Sequence, residues 1–360
     1  MSNLVNKDTY CALPFNHLYV ESTGDLKPCC IGSRFNSYTN LKDMSIEEAF
    51  NTEEYKKLRL DLLTGIKNPL CNSCWNKEEK GILSHRQQVG QTENVLGVWE
   101  EYYTKDGYMK PEFEYLDIRF SNLCNFKCIM CTHDYSSSWY EERHKKEGRP
   151  KVLKVKENIV SELIPYIKKL KSIYFAGGEP LIMPEHFELL SYLHKHNRDI
   201  SIVYNTNLSV IKYDTTDLVN MWKDFKSVMV QVSVDGMYEI GEKIREGFKT
   251  DRFIENIKVI KNNNITYHIS HTTATYNVKN IYNFINELLD SGVINNTNEV
   301  SINNFVVTPE KYCISNLPTE EKIEIYNYLI DVKSKIEGDR IIGQIDEIIK
   351  FLDLNLEKVI

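Results

Sequence analysis

The stretch Cys124-Asn-Phe-Lys-Cys128-Ile-Met-Cys131 places three cysteines on one short segment with the spacing C-x3-C-x2-C. It follows an apolar run over residues 115–120 that predicts a strand, and it precedes a polar segment over 132–146 that predicts a helix. Iron–sulfur clusters normally take four cysteine thiolates. Three thiolates on one loop therefore predict a [4Fe-4S] cluster whose fourth iron lacks a protein ligand, and an open metal position is where a substrate or cofactor binds.

Composition and charge describe a globular protein and argue against several partners. Of the 360 residues, 42% are hydrophobic and 26% are charged, as is typical of globular proteins. The net charge of −7 argues against a general nucleic-acid binder. No apolar run is long enough to span a membrane, and the first residues lack the charged-then-apolar pattern of a secretory signal. We therefore expect a cytoplasmic protein with no membrane partner.

The nine cysteines fall into two groups and one single residue. Five precede residue 75, three lie in the loop described above, and Cys313 stands alone. Thiols stay reduced in the cytoplasm, so clustered cysteines indicate metal binding or chemistry rather than disulfides. For the three-cysteine loop, the spacing alone leaves two alternatives open. One is a zinc site completed by His133, and the other is a set of reduced thiols in the protein core.

Residues 1–95 carry the other cysteine group and are predicted to form a small first domain. The pair Cys71-Asn-Ser-Cys74 supplies two ligands from one tight turn, and upstream cysteines can complete a set of four. Such a closed site would be structural or electron-carrying, and a zinc ribbon remains an alternative. The candidate ligands are Cys11, Cys29 or Cys30, Cys71 and Cys74.

Local patterns in this first domain predict its secondary structure. Residues 17–21 alternate like a short strand, and a turn at Thr23-Gly-Asp leads to a returning strand. Ser45 and Glu48 have the spacing of a capping box for a short helix. A longer helix is predicted to be capped by Asn51 and to end at Gly65.

From residue 113 onward, strand-like and helix-like patterns alternate. Six β–α units imply a parallel sheet with right-handed crossovers, so we predict an α/β fold with an open, partial (β/α)6 barrel over residues 113–310. Residues 96–112 are interpreted as a linker, and 311–360 as a C-terminal helical extension. The strand-like runs are 115–120, 172–176, 200–205, 227–234, 266–274 and 300–307.

Glycine and polar residues follow these strands at the edge where a barrel binds its ligands. Two adjacent glycines allow the backbone to approach a ligand closely, Glu179 can accept from an ammonium group, and Arg245 can pair with a carboxylate. Each feature alone also fits an ordinary turn, a cap or a surface arginine. The candidates are Gly177, Gly178, Glu179, Asn205, Ser233, Asp235 and Arg245.

The three-cysteine loop, Gly177-Gly-Glu-Pro180 and Ser233-x-Asp235, found after the first, second and fourth strands, resemble the radical S-adenosylmethionine (radical SAM) superfamily. The resemblance covers roughly 113–310. It implies that the open iron is chelated by the amino and carboxylate groups of S-adenosylmethionine. An electron from the cluster would then release a 5′-deoxyadenosyl radical, which abstracts hydrogen from a substrate.

The resemblance also implies a role for each matching residue. The three cysteines would hold the first [4Fe-4S] cluster. Met130 would face the adenine, and residues 177–179 would bind the amino end of the methionine. Ser233 matches a ribose-binding position and Arg245 a carboxylate-binding one. Asn205 and Asp235 are further candidates for contacts with the cofactor. The electron donor would be a protein such as flavodoxin or ferredoxin.

The first domain is similar to the SPASM/twitch auxiliary-cluster domains of these enzymes. Matching features include Cys11-x-x-Pro-Phe, Leu58-Arg59 and Cys71-x2-Cys74. Its cysteines suffice for one second [4Fe-4S] cluster, and Cys29 is preferred over Cys30 because a proline precedes it. Such domains usually follow the barrel, whereas this one precedes it.

Three functions are compatible with this resemblance. The first is a radical modification of a peptide or small protein, and the second is dehydrogenation of a small alcohol or sugar derivative with the auxiliary cluster as electron acceptor. The third is a non-catalytic iron–sulfur or zinc sensor, against which the predicted cofactor pocket argues. Cys313 is a candidate hydrogen-atom donor to a substrate radical, although a buried small hydrophobic residue is the usual role of a free cysteine.

Overall fold

The computed structural model describes residues 8–35, 39–91, 106–214 and 216–353. Residues 96–105 of the predicted linker lie outside these ranges. The chain divides into two compact units. The first comprises Met1–Leu123 and His144–Ile202, and the second comprises Cys124–Arg143 and Val203–Ile360.

Strands and helices alternate through most of the described chain. The strands are β1 His17–Val20, β2 Leu26–Lys27, β3 Tyr115–Ile118, β4 Lys127–Cys128, β5 Ser172–Phe175, β6 Ser201–Thr206, β7 Lys212–Tyr213, β8 Thr216–Asp217, β9 Ser227–Ser233, β10 Arg245–Glu246, β11 Thr266–Thr273 and β12 Val300–Phe305. The helices are α1 Leu13–Asn16, α2 Ile46–Phe50, α3 Glu53–Thr64, α4 Asn72–Glu79, α5 His85–Gln91, α6 Ile159–Leu163, α7 Pro184–His196, α8 Leu218–Trp222, α9 Tyr238–Ile244, α10 Thr250–Asn262, α11 Ile281–Asp290, α12 Thr319–Lys335 and α13 Asp339–Phe351.

The first unit is organised around the β3 strand. This strand pairs in parallel with β5 on one side and with β1 on the other, and β1 pairs antiparallel with β2. Leu116 and Ile118 are fully buried on one face of β3, whereas Asp117 lies on the opposite face. The pairing of β1 with β3 makes the N-terminal strand a part of this sheet, which the sequence did not predict.

The second unit contains the remaining parallel strands. Strand β11 pairs in parallel with β9 and with β12, and β9 is followed in the strand order by β6. The helix α11 buries an apolar stripe that includes Ile281 and Leu288. All six strands predicted from residue 115 onward are confirmed; five have slightly shorter bounds, and β6 is shifted by one residue.

The predicted helix caps are confirmed with one exception. The capping box of Ser45 and Glu48 is present, and Gly65 ends α3 in the left-handed conformation. Asn51 was wrongly predicted to cap α3, because Thr52 holds that position and the Asn51 side chain donates to Glu47 O and Met109 O.

The helix predicted over residues 132–146 does not form as one helix. The segment after the three-cysteine loop forms only the short 3-10 turns Ser137–Trp139 and Lys145–Glu147 and a π-helical turn, Tyr140–His144, between them. In the C-terminal helix α12, Leu329 is buried and Ile330 is 45% exposed. Among the described residues, no helix is long and apolar enough to cross a membrane.

Arg59 joins the elements of the N-terminal segment. Its side chain is fully buried and donates to the carbonyls of Pro14 at 2.8 Å, Phe50 at 2.6 Å and Gly107 at 3.1 Å. The guanidinium lies 4.2 Å from the centre of the Phe50 ring. Burial lowers the pKa of Arg59 to about 10. Its charge is balanced here by carbonyl oxygens and aromatic faces.

Replacing Arg59 with Met should destabilise the protein strongly. The substitution leaves three buried carbonyl oxygens without a donor, and each such loss costs roughly 1–3 kcal/mol. We expect the free energy of unfolding to fall by about 3 kcal/mol or more in a denaturant titration. Lys243→Met is the control, because Lys243 and its partner Glu239 are 73% and 80% exposed and such a solvent-exposed ion pair contributes little to stability. Equal stability of the two variants would contradict this role of Arg59.

Candidate functional site

The three cysteines of the loop lie in the second unit on a short, irregular segment. Cys128 is buried, and Cys124 and Cys131 are partly exposed. Strand β4 contains Cys128, and the Cys131 amide donates to the Cys128 carbonyl at 3.0 Å in a tight turn. This turn keeps the last two thiols on one short stretch of backbone. Burial, together with the neighbouring Cys128 thiol, raises the pKa of Cys131 to about 12.

Two of the three sulfur atoms receive hydrogen bonds from the protein. The Phe126 amide donates to Cys124 Sγ at 3.4 Å, and Arg245 Nη1 lies 3.7 Å from Cys128 Sγ. Burial raises the pKa of Cys128, and the Arg245 cation opposes that shift. Donors directed at sulfur favour the thiolate form, which is the form that binds metal.

Residues 177–179 are held against the chain that immediately precedes Cys124. The Gly178 amide donates to Ser121 O at 3.2 Å, and the Glu179 amide donates to Leu123 O at 2.8 Å. A Cβ atom on Gly178 would lie 2.2 Å from Leu123 O, and Gly177 adopts a φ of +121°. Both glycines are therefore required by the local backbone.

The Glu179 side chain is 1% exposed and has a structural contact of its own. Its Oε1 accepts from the Leu181 amide at 3.0 Å and so caps the 3-10 turn Pro180–Ile182. The predicted contact with an ammonium group remains a prediction.

Asn205 and Ser233 come together in the second unit. They end the neighbouring strands β6 and β9, and Ser233 Oγ donates to Asn205 Oδ1 at 2.9 Å. Asn205 is exposed and Ser233 is partly exposed. This polar pair is consistent with the ribose contact predicted for Ser233.

Asp235 and Arg245 form a buried ion pair. Asp235 Oδ2 accepts from Arg245 Nε at 2.7 Å, and Asp235 Oδ1 accepts from the Thr272 amide at 2.7 Å. The side chains are 0% and 12% exposed, respectively. The carboxylate raises the pKa of the Arg245 guanidinium despite its burial. Arg245 is therefore already paired with a carboxylate of this chain.

The other two predicted residues differ in exposure. Met130 is partly exposed at the tip of the three-cysteine loop. Cys313 is 4% exposed, and its Sγ lies 3.1 Å from Ser315 Oγ. The role of Cys313 as a hydrogen-atom donor remains a prediction.

The N-terminal cysteines line one cavity in the first unit. The walls of this cavity include Leu13, Pro28 and Ile31. Burial raises the pKa values of Cys29 and Cys71 to about 12 in each case. Arg86 also lines the cavity, but one cation cannot balance four buried thiolates, so the cavity favours a cationic metal group. Four of the cysteines lie in its lining, namely Cys11, Cys29, Cys71 and Cys74.

Cys30 has different surroundings from Cys29. It is exposed, is not among the residues that line the cavity, and has its Sγ 3.9 Å from His85 Nε2. The geometry therefore groups Cys29, rather than Cys30, with the other three cysteines.

Two residues at the site were missed by sequence reasoning. The Tyr276 hydroxyl is buried, with no hydrogen-bond partner among the described residues, and burial raises its pKa. Asn125, inside the three-cysteine loop, donates to Ser209 Oγ at 2.9 Å. Neither residue belongs to a recognisable spacing, so only the folded chain identifies them.

Comparison with known proteins identifies the family. The family model described as the Radical SAM superfamily matches residues 118–298, which is half of the chain. The chain therefore belongs to the radical SAM superfamily. The model of the SPASM iron–sulfur cluster-binding domain matches residues 11–75. The predicted α/β fold class and the N-terminal SPASM domain are thus confirmed.

Individual relatives cover less of the chain. The GTP 3′,8-cyclase of Campylobacter lari is 28% identical over 112 residues, which is 29% of this chain and 30% of that relative's length. The solved structure of native anSMEcpe with bound AdoMet has a TM-score of 0.46 at 18% identity, covering 64% of this chain and 62% of the other. That of Streptococcus suis SuiB bound to its precursor peptide SuiA has a TM-score of 0.40 at 14% identity, covering 88% and 68%.

The family implies a [4Fe-4S] cluster and S-adenosylmethionine, and the SPASM domain implies an auxiliary cluster. Over the described ranges, no three His, Cys, Asp or Glu side chains converge closely enough to form a ready-made metal site. The chemistry of the donors nevertheless fits both clusters. Three thiols on one loop suit an open cluster, and four thiols around one cavity suit a closed one.

Substituting Gly178 with Ala should weaken the binding of S-adenosylmethionine. The new Cβ would meet Leu123 O at 2.2 Å, which forces residues 177–179 away from the segment that immediately precedes the three-cysteine loop. We expect at least a tenfold loss of affinity in anaerobic titration calorimetry. Gly343→Ala is the control, because nothing lies within 4 Å of a Cβ there. Identical affinities of the two variants would show that the close approach is not needed for binding.

Proposed function

We propose that this protein is a radical SAM enzyme with one open and one closed [4Fe-4S] cluster. The observation that best supports this proposal is that one loop contains three cysteines, whereas a separate cavity is lined by four cysteines. The proposed ligands of the open cluster are Cys124, Cys128 and Cys131. The proposed ligands of the closed cluster are Cys11, Cys29, Cys71 and Cys74.

The bound groups supply a 5′-deoxyadenosyl radical and, from the auxiliary cluster, an acceptor for one electron. The chain's own residues bind and orient the cofactor. Gly177 and Gly178 provide backbone groups for the methionine end, and Glu179 is the proposed partner of its amino group. The Asn205–Ser233 pair provides hydroxyl and amide groups for the ribose. Met130 provides an apolar contact for the adenine.

We propose a peptide or small protein as the substrate, oxidised by the net loss of two hydrogens. One hydrogen leaves as an atom, and the other leaves as a proton while the acceptor takes the electron. The four-cysteine cavity supports an oxidation, because a cluster held there can accept the second electron. Dehydrogenation of a small alcohol also removes two electrons and two protons. A small alcohol is therefore the alternative substrate.

The two sets of cysteines should have separable effects. Cys124→Ala, Cys128→Ala and Cys131→Ala should each abolish formation of 5′-deoxyadenosine, because the open cluster loses a ligand. Cys71→Ala should lower substrate oxidation more than cofactor cleavage. Iron analysis should fall from roughly eight to roughly four atoms per chain in each variant. Cys30→Ala is the matched control and should keep full iron content. A Cys71→Ala protein with unchanged iron and turnover would rule out the closed cluster.

The class of substrate can be tested by mass spectrometry after an anaerobic reaction. The probes are synthetic peptides from short reading frames beside the gene, a panel of small alcohols, and GTP, which the related cyclases act on by name. We expect a peptide to lose two hydrogens in step with 5′-deoxyadenosine formation. Conversion of an alcohol or GTP, with all peptides unchanged, would overturn the peptide proposal while leaving the radical chemistry intact.

A further inference from the structure

A two-stranded ladder fixes Arg245 beside a cysteine of the three-cysteine loop. Strands β10 and β4 pair antiparallel, with Arg245 directly opposite Cys128 and Glu246 opposite Lys127. Residues directly opposite in such a ladder have their side chains on the same face and in contact. The guanidinium therefore reaches the sulfur, with Nη1 3.7 Å from Cys128 Sγ.

The segment that carries Arg245 is fitted closely to the loop. The Ile129 amide donates to Ile244 O at 2.9 Å, which extends the ladder by one residue. Gly247 has a φ of +107°, and a Cβ there would lie 2.7 Å from the Phe126 ring and 2.9 Å from Asn125 O. This close fit leaves the position of Arg245 relative to Cys128 little freedom.

The orientation of the guanidinium is fixed from its other side. Asp235 binds Nε and Nη2 with one carboxylate oxygen, and the Thr272 amide holds the other oxygen. The Asn277 side chain also donates to the Asp235 backbone carbonyl at 3.2 Å. Asp235 therefore positions Arg245 so that the remaining nitrogen, Nη1, points at sulfur.

We propose that Arg245 is a positioning residue that donates to the Cys128 thiolate and tunes the reduction potential of the open cluster, with Asp235 setting its orientation and offsetting its charge. This role rests on the proposed function and differs from the carboxylate-binding role predicted by resemblance. Hydrogen bonds and positive charge at cluster sulfurs stabilise the reduced, more negative state. Because the pair is buried, solvent screens it little.

Single substitutions in the pair should move the potential in opposite directions. Arg245→Gln removes the cation and leaves the carboxylate, so the midpoint potential should become more negative. Asp235→Asn leaves the cation unbalanced, so the potential should become more positive. The double variant should lie between them, and Arg245→Lys should remain close to the wild type because it keeps the charge and a donor.

The measurement is a redox titration followed by electron paramagnetic resonance on the anaerobic, cluster-loaded full chain. The open cluster is recognised by the change in its signal when S-adenosylmethionine is added. Lys127→Met is the matched control, because it removes a cation from the adjacent ladder position, where side chains point to the opposite face. We expect its potential to shift less than that of Arg245→Gln. If Arg245→Gln loads no iron, Asp235→Asn and the double variant still show in which direction the midpoint potential shifts.

Affinity for S-adenosylmethionine separates the two roles of Arg245. If Arg245 tunes the cluster, Arg245→Gln should bind S-adenosylmethionine with an affinity within about threefold of the wild type, while its midpoint potential is shifted. A loss of tenfold or more with an unchanged potential would instead establish carboxylate binding and overturn the proposal. Unchanged potential and affinity would leave Arg245 a purely structural role and also overturn it. A wild-type protein without a signal that responds to S-adenosylmethionine would overturn the proposed function itself, and this role with it.

Discussion

Backbone hydrogen bonds fix the chain on both sides of Cys124, and the candidate cofactor site depends on them. Before the cysteine, the carbonyls of Ser121 and Leu123 accept from the amides of residues 178 and 179. After it, the Ile129 amide donates to Ile244 O. Because backbone groups make these bonds, the loop is positioned without using its thiols. The cysteine sulfurs therefore remain available as ligands.

The two sets of cysteines differ in their surroundings as well as in number. Cys124 and Cys128 receive donors from Phe126 and Arg245. Cys124 and Cys131 are partly exposed, so a small molecule can approach the loop. The N-terminal cysteines line a cavity whose other walls include proline, leucine and isoleucine side chains. A low-dielectric cavity with four thiols is suited to holding a cluster, whereas the partly exposed loop is suited to an exchangeable ligand.

Much of the fold could be predicted from the sequence, because its signals are local. The six strands follow from apolar runs, and the helix cap at Ser45 follows from a single spacing. The wrong cap at Asn51 has a nonlocal cause, since that side chain is engaged by Arg59 and Met109. The pairing of His17 with Tyr115 is equally nonlocal.

The site shows the same division between local and nonlocal information. The cysteine spacings and the adjacent glycines are short sequence patterns, so the sequence alone identifies them as candidate site residues. The ladder between β4 and β10 has only two residues in each strand. Strands this short show no alternation of apolar and polar residues in the sequence. The contact of Arg245 with Cys128, and the buried hydroxyl of Tyr276, follow from tertiary packing alone.

The central claim is that the open iron of the three-cysteine cluster binds S-adenosylmethionine directly. Electron–nuclear double resonance on the reduced protein, with S-adenosylmethionine labelled with ¹⁵N at its amino group, tests this claim most directly. We predict a resolved coupling between the nitrogen label and the cluster, and its loss in Cys128→Ala. A reduced cluster that binds the labelled cofactor in its vicinity but shows no coupling to the nitrogen would contradict it.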